Sequence, residues 1–187
     1  MTYTKLTAGL TAATLAFSVT ACDDDDPIVD VNEEELITTV TVVLNGPSGT
    51  TTLRSQDLDG DGGNDAVVTG GTVRANTPYT YAVSFTNETE TPAEDVTAEV
   101  REEDEEHQVF FEAIGLDSVA FAYGDEDDDG NPVGLAGTLT TGPAGTGDLR
   151  VVLRHEPNKD GEGVSEGDLA NADGETDVDV RIPLTVE

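Results

Sequence analysis

The sequence predicts an all-β protein, an antiparallel β-sandwich of immunoglobulin-like type with one short acidic helix in a crossover. Three observations carry this reading. Apolar and β-branched residues alternate with period two in several short runs, glycine-rich turns separate those runs, and one stretch alone carries a helix start signal. A closed barrel fits the same pattern and is the rival architecture.

The elements follow in chain order. Leu36, Thr38, Val40, Val42 and Leu44 share one face, with Ile37, Thr39, Thr41 and Val43 on the other, so a strand is expected over 36–44. The turn 45–49, rich in Gly and Pro, returns the chain as a partner strand over 50–54. After an acidic loop, 66–68 and 72–74 read as short strands. Tyr79, Tyr81, Val83 and Phe85 alternate with Thr80, Ala82, Ser84 and Thr86, giving a second strong strand. Thr91-Pro92-Ala93-Glu94 combines a capping box with proline at the first helical position, which starts a helix expected to reach Glu106. Its apolar stripe of Ala93, Val96 and Val100 is narrow, so one side alone would rest on a sheet. Strands are then expected over 107–113, 119–123, 134–141, 149–154 and 178–186. The last is the most regular, with Val178, Val180, Ile182, Leu184 and Val186 on one face.

Charge narrows the function classes. The chain carries 40 acidic residues against 8 Lys and Arg, a formal charge of −32. Such a field repels nucleic acid and attracts divalent cations. The acids are clustered between clean alternating segments, which separates this chain from an acidic disordered one.

Two acidic loops have calcium-binding spacing. In 57–65, Asp57, Asp59 and Asp61 alternate, glycine follows, and Asp65 stands at the ninth position. A tight turn of this kind aims successive side-chain oxygens at one point. Val68 stands where an EF-hand needs a bidentate glutamate, so the loop resembles the shortened calcium loops of dockerins and thrombospondin type 3 repeats. Asp125, Asp127 and Asp129 repeat the alternation, and 158–163 is a weaker copy whose Lys159 competes for its carboxylates. Calcium is therefore the expected cofactor. A solvated Asp-Gly turn explains the same residues without a metal.

The end of the helix poses a separate problem. Glu99, Glu102, Glu103, Asp104, Glu105 and Glu106 crowd its C-terminal half against Arg101 alone, opposing the helix dipole and one another, enough to fray about a turn. His107 follows this run, and His155 precedes Glu156. An inert surface position is the simplest expectation for each histidine. If the two meet, imidazole with carboxylate suits zinc, copper or iron. No nucleophile elbow, phosphate loop or HExxH stretch is present, and the chain has no Trp, so a non-catalytic role is expected over a small hydrolase.

The N-terminus addresses the protein. Lys5 is the one charged residue of 1–21, and the following apolar, Thr-rich run is too short to span a bilayer. Val19-Thr20-Ala21-Cys22 resembles the lipobox of secreted bacterial lipoproteins, which implies that Cys22, the sole cysteine, becomes the lipid-carrying first mature residue. The division expected is a signal peptide over 1–21, an acidic tether over 22–35 and a β-domain over 36–187. The acids after Cys22 resemble a surface-display signal of the Bacteroidota. Residues 32–39, 57–65, 107–111 and 154–159 resemble an uncharacterised family of lipoproteins from that phylum, a resemblance that implies location and fold without chemistry. The expectation is a lipid-anchored binding module of the outer membrane, exposed at the surface and stabilised by calcium. The alternative is capture of a transition metal for a protein partner in the outer membrane.

Overall fold

The computed structural model describes residues 36–60 and 63–187; the signal segment, Cys22, the tether and Asp61 lie outside the described residues. Among the described residues, β1 (Thr39–Gly46) is paired on both sides. It runs antiparallel to β2 (Gly49–Gln56) and to β5 (Pro78–Thr86). Its even-numbered residues Val40, Val42 and Leu44 are buried, as the alternation predicts. β3 (Val67–Thr69), β8 (Ala136–Thr140) and β7 (Ala120–Tyr123) complete a six-stranded sheet in the order β3-β2-β1-β5-β8-β7.

The second sheet has four strands in the order β4-β10-β9-β6. These are β4 (Gly71–Val73), β10 (Glu175–Val186), β9 (Gly145–His155) and β6 (His107–Ile114). The two sheets share one core, in which Val109, Phe111, Leu149, Val151, Leu153, Ile182 and Leu184 meet Val42, Leu44, Leu53, Tyr81, Val83 and Phe85. This is the sandwich expected, and the sheets do not close into a barrel. One pairing differs from the antiparallel expectation, because β4 lies parallel to β10 at Leu184–Val186. That pairing lets the chain cross between the sheets within the short turn separating β3 from β4.

The helix is shorter than its start signal suggested. α1 covers Val96–Glu102, with Asp95 rather than Thr91 at its N-terminal boundary. It ends at Glu102, and the rest of the acidic run, Glu103 to Glu106, continues as turns. Carboxylates at the negative pole of the helix dipole oppose any further turn. Val96 and Val100 enter the core, and Thr97 replaces the exposed Ala93 as the third contact. Its hydroxyl accepts from Phe85 N–H at 2.9 Å and donates to Phe85 O at 3.0 Å, which pins the helix to β5.

The connection between β9 and β10 also has a packing role. It contains two short 3-10 turns, Val164–Glu166 and Leu169–Asn171. Val164 and Ala172 cover Phe110 and Val152 on the outer face of the four-stranded sheet, forming a second small core. Gln108 anchors the segment by donating to Val164 O at 2.9 Å.

Candidate functional site

The candidate site lies at one end of the four-stranded sheet, where β6 begins, β9 ends and β10 begins. Antiparallel pairing sets His107 directly opposite His155, so the two imidazoles share a face although they are distant in sequence. Their ring centroids are 4.7 Å apart. The expectation that both lie on the surface is corrected here, since His107 is fully buried and His155 is 6% exposed. Both continue the inward-facing rows that bury Val109 and Leu153, and those rows end in imidazoles instead of apolar side chains.

Asp177 completes the cluster. β10 shifts register against β9 between Thr176 and Val178, leaving Asp177 as the extra residue of a bulge. A bulge re-aims a side chain that plain alternation would send outward. The Asp177 carboxylate, 1% exposed, lies 3.8 Å from His107 Nε2 and 4.0 Å from His155 Nδ1. Hydrogen bonds between nitrogen and oxygen span about 2.7–3.2 Å. Ligands around a tetrahedral ion with bonds of about 2.0–2.1 Å sit roughly 3.3–3.4 Å apart. The observed spacing is that of an ion pair, wider than either, and leaves room for a cation between the three groups after small side-chain shifts.

The tautomer of His107 strengthens this reading. Its Nδ1 lies 3.1 Å from the Glu103 carbonyl oxygen, which can only accept, so Nδ1 carries the proton. In the neutral ring, Nε2 then turns its lone pair toward the Asp177 carboxylate. A lone pair on the side of a carboxylate is a place where a cation, either a proton or a metal ion, is favoured. A backbone carbonyl holding the remote N–H of a histidine is the usual support of a metal ligand. The acidic end of α1 thus positions His107.

A second set of donors lies outside the first. Glu106, His155 and Glu156 each offer an atom within 4.8 Å of the others, as do His107, His155 and Asp177. His155 Nε2 is 3.9 Å from Glu106 Oε2, so each of its nitrogens faces one set. Glu156 N–H donates to Glu106 O at 2.7 Å, tying the two segments together. Gly174 makes the close approach opposite: its φ is 71°, and an added Cβ would lie 2.3 Å from the His155 carbonyl oxygen. Gly174→Ala is expected to cost about 1–3 kcal/mol through forced backbone strain, measurable as a lowered unfolding midpoint in urea.

The acidic loops are arranged differently. Asp57 Oδ1 accepts from the Asp59 and Gly60 N–H groups at 3.3 and 2.9 Å. Asp59 Oδ2 accepts from Asn64 N–H and its side-chain amide at 3.0 and 2.7 Å, and these bonds hold its pKa below the usual carboxylate range. Asp65 is exposed. In the other loop, Asp125 accepts from Gly134 and Ala136 N–H at 2.8 and 3.0 Å. Asp127 accepts from Asn131 and Asp129 N–H at 2.7 and 3.1 Å, and Asp129 points to solvent. Much of the acid alternation thus serves to cap backbone N–H groups. Among the described residues, neither loop contributes to a cluster of three donors.

The Lys159 side chain turns away from its own loop. Its Nζ is 2.8 Å from Asp127 Oδ2, with the two side chains 6% and 1% exposed, and it also donates to Asp104 O. Burial raises the Asp127 pKa, but the Lys159 hydrogen bond and the Asn131 N–H outweigh it and lower the net value. This pair ties the β9–β10 connection to the β7–β8 loop and to the turn after α1. Comparison with family models, curated proteins and solved structures finds no match, so the function must be argued from this geometry.

Proposed function

We propose that the protein is a non-catalytic metal-binding module of the bacterial cell envelope, anchored by lipid on Cys22, which holds one divalent transition-metal ion between His107, His155 and Asp177. The convergence of two buried imidazoles and a buried carboxylate carries the reading. Two nitrogen donors and one oxygen donor suit zinc, copper or iron(II) better than calcium, which prefers oxygen ligands alone. Calcium in the 57–65 loop has weaker support, since two of the three described acids there already accept backbone N–H bonds. A buried site on rigid strands suits retention of an ion, or its transfer to an outer-membrane partner, more than turnover of a substrate.

The test uses the full-length chain purified in detergent, stripped with chelator and titrated with zinc. One equivalent is expected to bind, and His107→Ala should abolish it. Unchanged stoichiometry in that variant would place the ion elsewhere. Cys22→Ser should release the protein from the membrane fraction, and retention after a high-salt wash would overturn the anchor.

A further inference from the structure

We infer that Glu106 and Glu156 form, with His155, an outer loading station through which a divalent ion reaches the buried His107–His155–Asp177 site. This rests on the metal-binding reading above and adds how the ion gets in.

The inner donors are nearly closed to solvent. The side chains of His107 and Asp177 are 0% and 1% exposed, and that of His155 is 8% exposed. An ion arriving from solvent therefore passes His155. On the outer side of that ring stand Glu106, 58% exposed, and the exposed Glu156. Two carboxylates and one imidazole nitrogen gather there within 4.8 Å. Such a set captures hydrated divalent ions because its carboxylates can reach them without complete dehydration. The chain's formal charge of −32 concentrates cations at the same surface.

The imidazole of His155 supplies the transfer. Its Nε2 faces Glu106 at 3.9 Å and its Nδ1 faces Asp177 at 4.0 Å. A neutral imidazole has one lone pair and one N–H, so it ligates through one nitrogen at a time. When Nε2 binds an ion outside, the N–H is on Nδ1, directed at Asp177. When Nδ1 binds inside, the N–H is on Nε2, directed at Glu106. Each position of the ion thus has a matching tautomer: as the ion moves inward, Nδ1 gives up its proton to water and Nε2, freed of the ion at the exposed side, takes one from water, so the ring stays neutral and no net proton is released. The inner position adds the His107 nitrogen and exclusion of water, so the ion settles there.

The test follows cobalt(II), whose visible d–d absorbance reports entry into a nitrogen-containing site, by stopped-flow mixing with the full-length, metal-stripped protein. In the wild type, the observed rate should saturate with cobalt concentration, because capture precedes transfer. In Glu106→Gln/Glu156→Gln, the rate at low cobalt should fall about tenfold or more and lose its saturation. Glu162→Gln/Glu166→Gln removes the same charge from the exposed β9–β10 connection and should load at the wild-type rate.

Equal rates in the wild type and the first double variant would overturn the loading station, as would equal slowing in the two double variants. Complete loss of cobalt binding in the first variant would make Glu106 and Glu156 ligands of a single shared centre, which also overturns it. Absence of any cobalt band in the wild type would instead remove the metal-binding reading on which the inference stands.

Discussion

Lys159→Ala is expected to destabilise the fold by about 3–5 kcal/mol, the range seen when one partner of a buried ion pair is removed. For a domain of this size, that lowers the melting temperature by roughly 6–20 °C. The size follows from what remains behind. Asp127 is 1% exposed in its side chain and would keep its charge with backbone N–H donors but no counterion. The Asp104 carbonyl would also lose its ammonium donor. Replacing both members of the pair, as in Lys159→Met/Asp127→Leu, leaves no buried charge and should recover a substantial part of the loss. A double variant no more stable than Lys159→Ala would show that packing of the lysine stem, not the charge pair, supplies the stability. The pair also sets an acid limit. Asp127 has a lowered folded pKa, so its contribution is present above its unfolded value near about 4 and is lost as pH falls through the folded value. Acid unfolding curves should show this limb in the wild type and a shallower one in Lys159→Ala.

The strands were legible because their pattern is local. Val40, Val42 and Leu44 alternate with period two, and so do Tyr79 to Phe85, so burial could be assigned before any pairing was known. The start of α1 was not legible to the residue. The capping-box pattern at Thr91 was satisfied in sequence, but the β5 end and Thr97 set the boundary through the hydrogen bonds to Phe85. Its early end was foreshadowed by the acidic run, which opposes the dipole.

The candidate site was legible only in part, for a physical reason. His107 and His155 stood out as the two histidines beside acids, but their meeting depends on β6–β9 register, which no local pattern specifies. Asp177 was missed because it directly precedes the regular Val178, Val180, Ile182 row and would face outward by alternation. The bulge reverses that, and the one trace of it in sequence is the change from acidic to alternating character at that point. Lys159 was expected to compete for the carboxylates of its own loop, 158–163; it pairs instead with Asp127 of the β7–β8 loop, a partner that no local pattern specifies. The acidic loops answer to two patterns at once. Asp-Gly alternation at 57–65 has calcium spacing, but Asx turns need the same residues, and the structure uses Asp57 in one.

Zinc is expected to stabilise the wild type and to leave His107→Ala without that gain. With a dissociation constant of about 1 μM and about 0.1 mM free zinc, one native-state site adds about 2.7 kcal/mol, or roughly 5–11 °C in melting temperature. The donors come together only in the native state, from the start of β6, the end of β9 and the bulge of β10, so the ion binds the folded chain and not the unfolded one. Screening of the −32 charge also stabilises, so magnesium at matched ionic strength is the control. Asp177→Asn sharpens the attribution, since it keeps the shape of the side chain while removing the anionic ligand. It should lose most of the zinc increment. The competing arrangement is an imidazolium of His107 paired with Asp177, in which a proton stands where the metal would. That arrangement predicts no zinc increment beyond magnesium in the wild type, and that outcome would overturn the metal site. A zinc increment that survives both His107→Ala and Asp177→Asn would move the ion to other acids, because the inner site would then have lost two of its three donors without consequence.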